Sequence, residues 1–137
     1  MNHRTLTLIF LIVLATVALN GCTVAPDLMP TTSAGRTDDP TGFCKSVENS
    51  TKVVVKVKNQ TLVDAAASTT TVEFSTGGSF QFPTPAIPAN SSVELPPINI
   101  PSGCFSPDCL FKITVNSPKQ INETIETNNS LNGTCIG

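Results

Sequence analysis

The chain has 137 residues, with eight Lys and Arg against ten Asp and Glu and a formal net charge of −2. That balance argues against a nucleic-acid partner, because phosphate binding rests on clustered basic charge. The only His is His3, and Trp and Tyr are absent, so beyond the first few residues the commonest general base and transition-metal ligand is missing.

Arg4, a predominantly apolar run from Leu6 to Leu19, and the tetrad Leu19, Asn20, Gly21, Cys22 open the chain. The run is too short to span a membrane as a mature helix, and a small residue before Cys22 suits a signal peptidase. Residues 1–21 therefore read as a bacterial lipoprotein signal peptide, and the resemblance to such lipoproteins implies that Cys22 is the lipidated residue, carrying palmitate-type acyl chains. Two or three such chains anchor stably where one does not. Asn20 stands where these signals usually carry Ala, Ser, Thr or Val. Removal of Arg4 with the signal would take the net charge from −2 to −3. Residues 22–42, rich in Thr, Pro, Ser, Gly and Asp, read as a flexible tether with an r.m.s. reach of about 25 Å.

From Lys52 the pattern changes to short alternating runs separated by turn residues. Val53, Val55 and Val57 alternate with Val54, Lys56 and Lys58, which places the odd residues on a core and the lysines in water. Thr70, Val72 and Phe74 repeat the pattern, Gly77 and Gly78 supply a turn, and Phe80 and Phe82 share the next face. The proline-rich stretch Pro83 to Asn90 cannot donate a full ladder and reads as an edge excursion or a crossover loop. Val93 with Leu95, Ile98 with Ile100, and Phe111 with Ile113 and Val115 follow, and a last short strand is expected from Leu131 to Ile136. Residues 43–137 are thus expected to form an all-β, antiparallel sandwich of about seven strands.

Cys44, Cys104, Cys109 and Cys135 lie in a chain that its leader would export to where disulfides persist. One close pair, two distant single cysteines and no nearby His do not suit zinc. Four cysteines permit three pairings, and spacing alone does not choose among them. The Ser106-Pro107-Asp108 turn favours a local Cys104 to Cys109 bridge, which leaves Cys44 for Cys135.

The segments Val55 to Phe74, containing Lys58-Asn59-Gln60-Thr61, Ile87 to Leu95, and Ile121-Asn122-Glu123-Thr124-Ile125-Glu126-Thr127-Asn128-Asn129, resemble the bacterial CARDB domain, a cell-adhesion-related module. The resemblance covers residues 44 to 137. Thr61 replaces a usual Gly, and Thr124 and Ile125 depart from the family's closing signature. The resemblance implies an immunoglobulin-like sandwich and an extracellular building block used in proteins of varied function.

Glu123, Glu126 and Asn128 also offer the hard oxygen ligands that calcium takes. The competing reading is a solvated loop whose Asn side chains close turns on their own backbone. Lys52, Lys56, Lys58 and Lys112 suggest a mildly basic sheet face or simply a solvated one. Asn-x-Ser/Thr sequons begin at Asn49, Asn59, Asn90, Asn122, Asn128 and Asn132, and in a bacterial chain these read as turns. No catalytic residue and no cofactor is assigned, because Asp64, Glu73, Glu94, Asp108, Glu123 and Glu126 form no recognisable acid and base pair. The expected function is a non-enzymatic, lipid-anchored envelope protein displaying an interaction or adhesion module to a protein or glycan. The alternative is a structural envelope lipoprotein with no specific ligand. Resemblance to lipoproteins of two-membrane bacteria, in which Asp after the lipidated Cys favours inner-membrane retention, implies outer-membrane placement for Thr23 if the host has an outer membrane, and otherwise the cell surface is expected.

Overall fold

The computed structural model describes residues 24–33 and 41–137. Residues 1–23, which hold the expected signal peptide and Cys22, and the stretch 34–40 lie outside the described residues. Ten strands run in chain order: β1 Leu28–Thr32, β2 Cys44–Val47, β3 Ser50–Val53, β4 Val55–Asn59, β5 Ser68–Phe74, β6 Ser79–Thr84, β7 Ser92–Glu94, β8 Ile98–Asn99, β9 Cys109–Thr114 and β10 Ser130–Cys135. They form three sheets ordered β1-β4-β7, β2-β3-β8 and β10-β9-β5-β6. Every pairing between these strands is antiparallel.

The all-β expectation holds, but the strand count exceeds seven for three local reasons. First, the Val-rich run is two strands. Val54 lies between β3 and β4, is 1% exposed, and donates its N–H to Phe43 O at 2.7 Å. It faces the interior rather than water because the chain here passes from one sheet to another. The neighbouring strand bends with it: Val53 pairs with Ile98, and Leu95 N bonds Val55 O at 2.8 Å. Pro96 and Pro97 therefore oppose Val54 alone, the two-against-one count of a β-bulge, and neither proline has an N–H to leave unpaired.

Second, β2 and β3 form a hairpin whose two loop residues, Glu48 and Asn49, have φ of 51° and 63°. Positive φ at both central positions is the type I′ turn that matches strand twist. Third, the expected tether is not free over its whole length. Leu28 to Thr32 pair with Asn59 to Val55, with Leu28 and Pro30 buried. The folded domain therefore begins well before residue 43. Pro30 is tolerated because β1 is an edge strand.

The core lies between the four-stranded sheet and the other two. Val53, Val55 and Val57 face Val72, Phe74, Phe111 and Ile113 within one buried cluster. Phe43 meets Phe111 edge-on at 6.2 Å, and Phe111 meets Phe74 at 5.8 Å. Phe74 in turn meets Phe80 at 5.8 Å. Gly133 pairs with Phe111 across the β9–β10 ladder, and a Cβ there would lie 2.3 Å from the Phe111 ring. The missing side chain at Gly133 leaves the space that this ring occupies. Thr70, fully buried on the core side of β5, satisfies its hydroxyl against Thr84 at 2.7 Å. Gly77, at φ 94°, turns β5 into β6 as its sequence predicts.

Candidate functional site

The densest polar network ties the loop after β9 to the start of the domain. Asn116 is 4% exposed and adopts φ 52°, a conformation that Asn tolerates better than most residues. Its Oδ1 accepts from Gln120 N at 2.8 Å and Ile121 N at 3.1 Å, and its Nδ2 donates to Ile121 O at 2.8 Å. The same Nδ2 reaches Glu123 Oε2 at 3.2 Å. Glu123 also accepts from Leu28 N at 2.8 Å and from Asn129 Nδ2. Next to it, Thr124 donates its N–H to Pro26 O at 2.9 Å and its hydroxyl to Ala25 O at 2.7 Å.

Asn59, fully buried at the end of β4, is a second hub. Its Nδ2 donates to Val63 O at 2.7 Å, Ile87 O at 3.2 Å and Pro88 O at 3.3 Å. Its Oδ1 accepts from the Thr61 hydroxyl at 3.0 Å and Thr61 N at 3.3 Å. Buried Asp27 joins the hubs, accepting from Gln60 Nε2 at 2.6 Å and Asn128 Nδ2 at 2.9 Å. The Asn59-Gln60-Thr61 sequence at the end of β4 thus gathers carbonyls from three chain segments, with Gln60 N donating to Asp27 O at 3.0 Å.

The three residues considered for calcium are each engaged with protein partners. Glu123 is spent on protein donors, and Glu126 forms an ion pair with Lys119. Asn128 and Asn129 turn their N–H groups, not their oxygens, to Asp27 and Glu123. Among the described residues, no group of three His, Cys, Asp or Glu is placed to hold a metal ion.

The lysines likewise fail to make one face. Lys52 lies in β3, Lys56 and Lys58 in β4, and Lys112 in β9 of a different sheet. Each of three meets acid: Lys52 bonds Glu48 at 3.2 Å, while Lys56 and Lys112 stand across from Glu94 and Glu73.

At the opposite end of β10, Cys44 is bonded to Cys135 across 91 residues, with a Cα separation of 5.7 Å. Cys104 is bonded to Cys109 with a Cα separation of 4.9 Å, which closes the turn before β9. Around these bridges Phe105, Leu110 and Ile136 are exposed. A shallow dish of about 430 Å³ on the four-stranded sheet, lined by Glu73, Leu110, Lys112, Asn132 and Thr134 among others, begins beside them. Among the described residues, strand β6 forms one edge of that sheet, paired only with β5. Its outer backbone groups over Ser79 to Phe82 are the kind of edge that accepts a further strand.

The molecule is thus an all-β, disulfide-bonded domain of antiparallel sheets in which the titratable groups serve as staples and surface pairs. No family model matches the chain, and no curated protein matches it. Among solved structures it is similar to the CARDB domain of a Pyrococcus furiosus protein, crystallised in complex with di-metal ions. Identity is 14% over 82% of this chain and 88% of that one, with a TM-score of 0.49. At that distance the likeness transfers no ligand or activity to this chain.

Proposed function

We propose that this is a non-enzymatic, lipid-anchored cell-envelope protein that holds its β-sandwich outside the cytoplasm as an interaction module for another protein or a glycan. The observation that carries the reading is the order of parts: Arg4, the apolar run, Asn20-Gly21-Cys22, then a sandwich closed by two disulfides. Disulfides of this kind belong to an exported chain. The β6 edge and the dish around Glu73 and Lys112 are the surfaces the reading assigns to a partner. In a host with two membranes, Thr23 favours the outer one.

Intact mass spectrometry of the protein purified from its host's membranes, with and without reduction and alkylation, tests the proposal. A mass that starts at Cys22 and carries two or three acyl chains, with four thiols released only by reduction, is the expected result. A chain cut elsewhere removes the anchor, and thiols that react before reduction remove the disulfides. Saturable binding lost on changing Lys112 or the β6 edge would distinguish an interaction module from a passive envelope spacer.

A further inference from the structure

Three exposed apolar side chains gather where the chain enters the domain. Leu62 is 86% exposed, Val24 59% and Ile125 45%. Leu62 lies two residues from Gln60, whose N–H and side chain both bond Asp27. Ile125 follows Thr124, whose N–H and hydroxyl bond Pro26 and Ala25. Val24 directly precedes Ala25. Leu62 and Ile125 thus lie within two residues of groups bonded to the segment Ala25–Asp27, Val24 runs directly into that segment, and the three meet at one end of the sandwich. In water these side chains gain nothing from their position, and the most exposed of them, Leu62, tips a turn that a polar residue would fit as well.

What lies next to this end is set by chain length. Cys22 is two residues before Val24, and two extended residues reach at most about 7 Å. Ala25 is already bonded to the folded domain. An anchor at Cys22 therefore has no long spacer between it and the sandwich, in contrast to the roughly 25 Å of a free twenty-residue linker. The headgroup layer of one leaflet is itself about 5–8 Å thick. A lipid on Cys22 brings the end of the domain against the headgroups.

We infer that Val24, Leu62 and Ile125 form a membrane-resting tip, which seats this end of the sandwich on the bilayer that holds the Cys22 lipid and points the disulfide end outward. The inference rests on the lipid-anchor reading. The occupant is the bilayer surface, and contact is apolar: Glu126 near the tip is paired with Lys119, so no surplus of cations draws the tip to anionic lipid. Side chains of this kind settle about 5–10 Å into the headgroup and acyl boundary. The anchor supplies the membrane affinity, and the tip supplies orientation.

The chain has no Trp, so single substitutions give unique fluorescent reporters. The lipidated protein from its host, as Leu62→Trp or as Leu110→Trp at the far end, is reconstituted into phosphatidylethanolamine and phosphatidylglycerol vesicles containing brominated lipid. Both positions are exposed enough to accept Trp, and unchanged release of thiols on reduction verifies the fold. The expected result is a blue-shifted Leu62→Trp emission, quenched at least about twofold more than that of Leu110→Trp, as insertion to the acyl boundary requires. Equal quenching of the two, in protein that floats with the vesicles and carries acyl mass at Cys22, overturns the tip and leaves the anchor intact. Protein that carries no acyl chains and does not float overturns the anchor and the tip together.

Discussion

The two ends of the sandwich are held by different chemistry. Where the chain enters, Asn59, Asn116, Asp27 and Glu123 gather backbone groups from loops that have no regular ladder. At the other end, Cys44–Cys135 and Cys104–Cys109 close the structure covalently, with Phe43 and Phe111 packed nearby. The covalent end acts largely through the unfolded chain, whose freedom it reduces. The amide end acts through the folded state, where each donor removed strands a buried carbonyl. The difference teaches that a small aromatic-poor core is supplemented twice, once by cross-links and once by buried polar hubs.

The largest effect is expected at the covalent end. Replacing Cys44 and Cys135 together by Ser should cost about 4 to 5 kcal/mol in the chain-entropy account, against about 2 kcal/mol for Cys104 and Cys109. Urea midpoints of the two double variants give the ranking, and a reversed order would break the comparison. At the amide end, Asn59→Ala leaves Val63, Ile87 and Pro88 carbonyls without their donor and should cost about 3 kcal/mol. Asn59→Asp keeps the acceptor but loses the donors, so it should be no better tolerated; rescue by Asp would show that the acceptor side carries the hub.

Gly133→Ala should cost about 2 kcal/mol, since its Cβ meets the Phe111 ring and forces it aside. Near-ultraviolet circular dichroism of the phenylalanines should change with it. Glu123→Gln retains an acceptor for Leu28 N while weakening the charge-assisted bonds, and about 1 kcal/mol is expected from a thermal melt. Calcium in excess, or a chelator, should leave the melting temperature of the unmodified protein where it was. A calcium-dependent rise would mean that the loop opens to take an ion instead of Leu28 and the two asparagines.

Much of the sandwich was legible where alternation was clean. Phe111, Ile113 and Val115 are buried, Gly77 and Gly78 turn β5 into β6, and the local Ser-Pro-Asp turn brings Cys104 to Cys109. What escaped depended on neighbours distant in sequence. The strand Leu28–Thr32 contains Pro30 and only two large apolar residues, and it exists because β4 supplies a partner. Val54 has the composition of its neighbours, and only the Pro96-Pro97 pair across from it marks the change of sheet. The Glu48-Asn49 turn lacks the Gly that would have announced it. Most of the polar network was hidden for the same reason: Asn59 and Asn116 look like turn residues, and nothing local says that each is buried and bonded to segments far along the chain.

The Cys44–Cys135 bridge has a mechanical consequence. A load applied between β1 and the residues after Cys135 passes from Cys44 to Cys135 through the sulfur bond, because the two are joined directly. Tension can strip β1 from β4, but the span between Cys44 and Cys135 bears almost none of it. Under pull the protein behaves as a short extensible leader attached to an inextensible knot, and a single cut anywhere inside that span would leave the two pieces joined through sulfur.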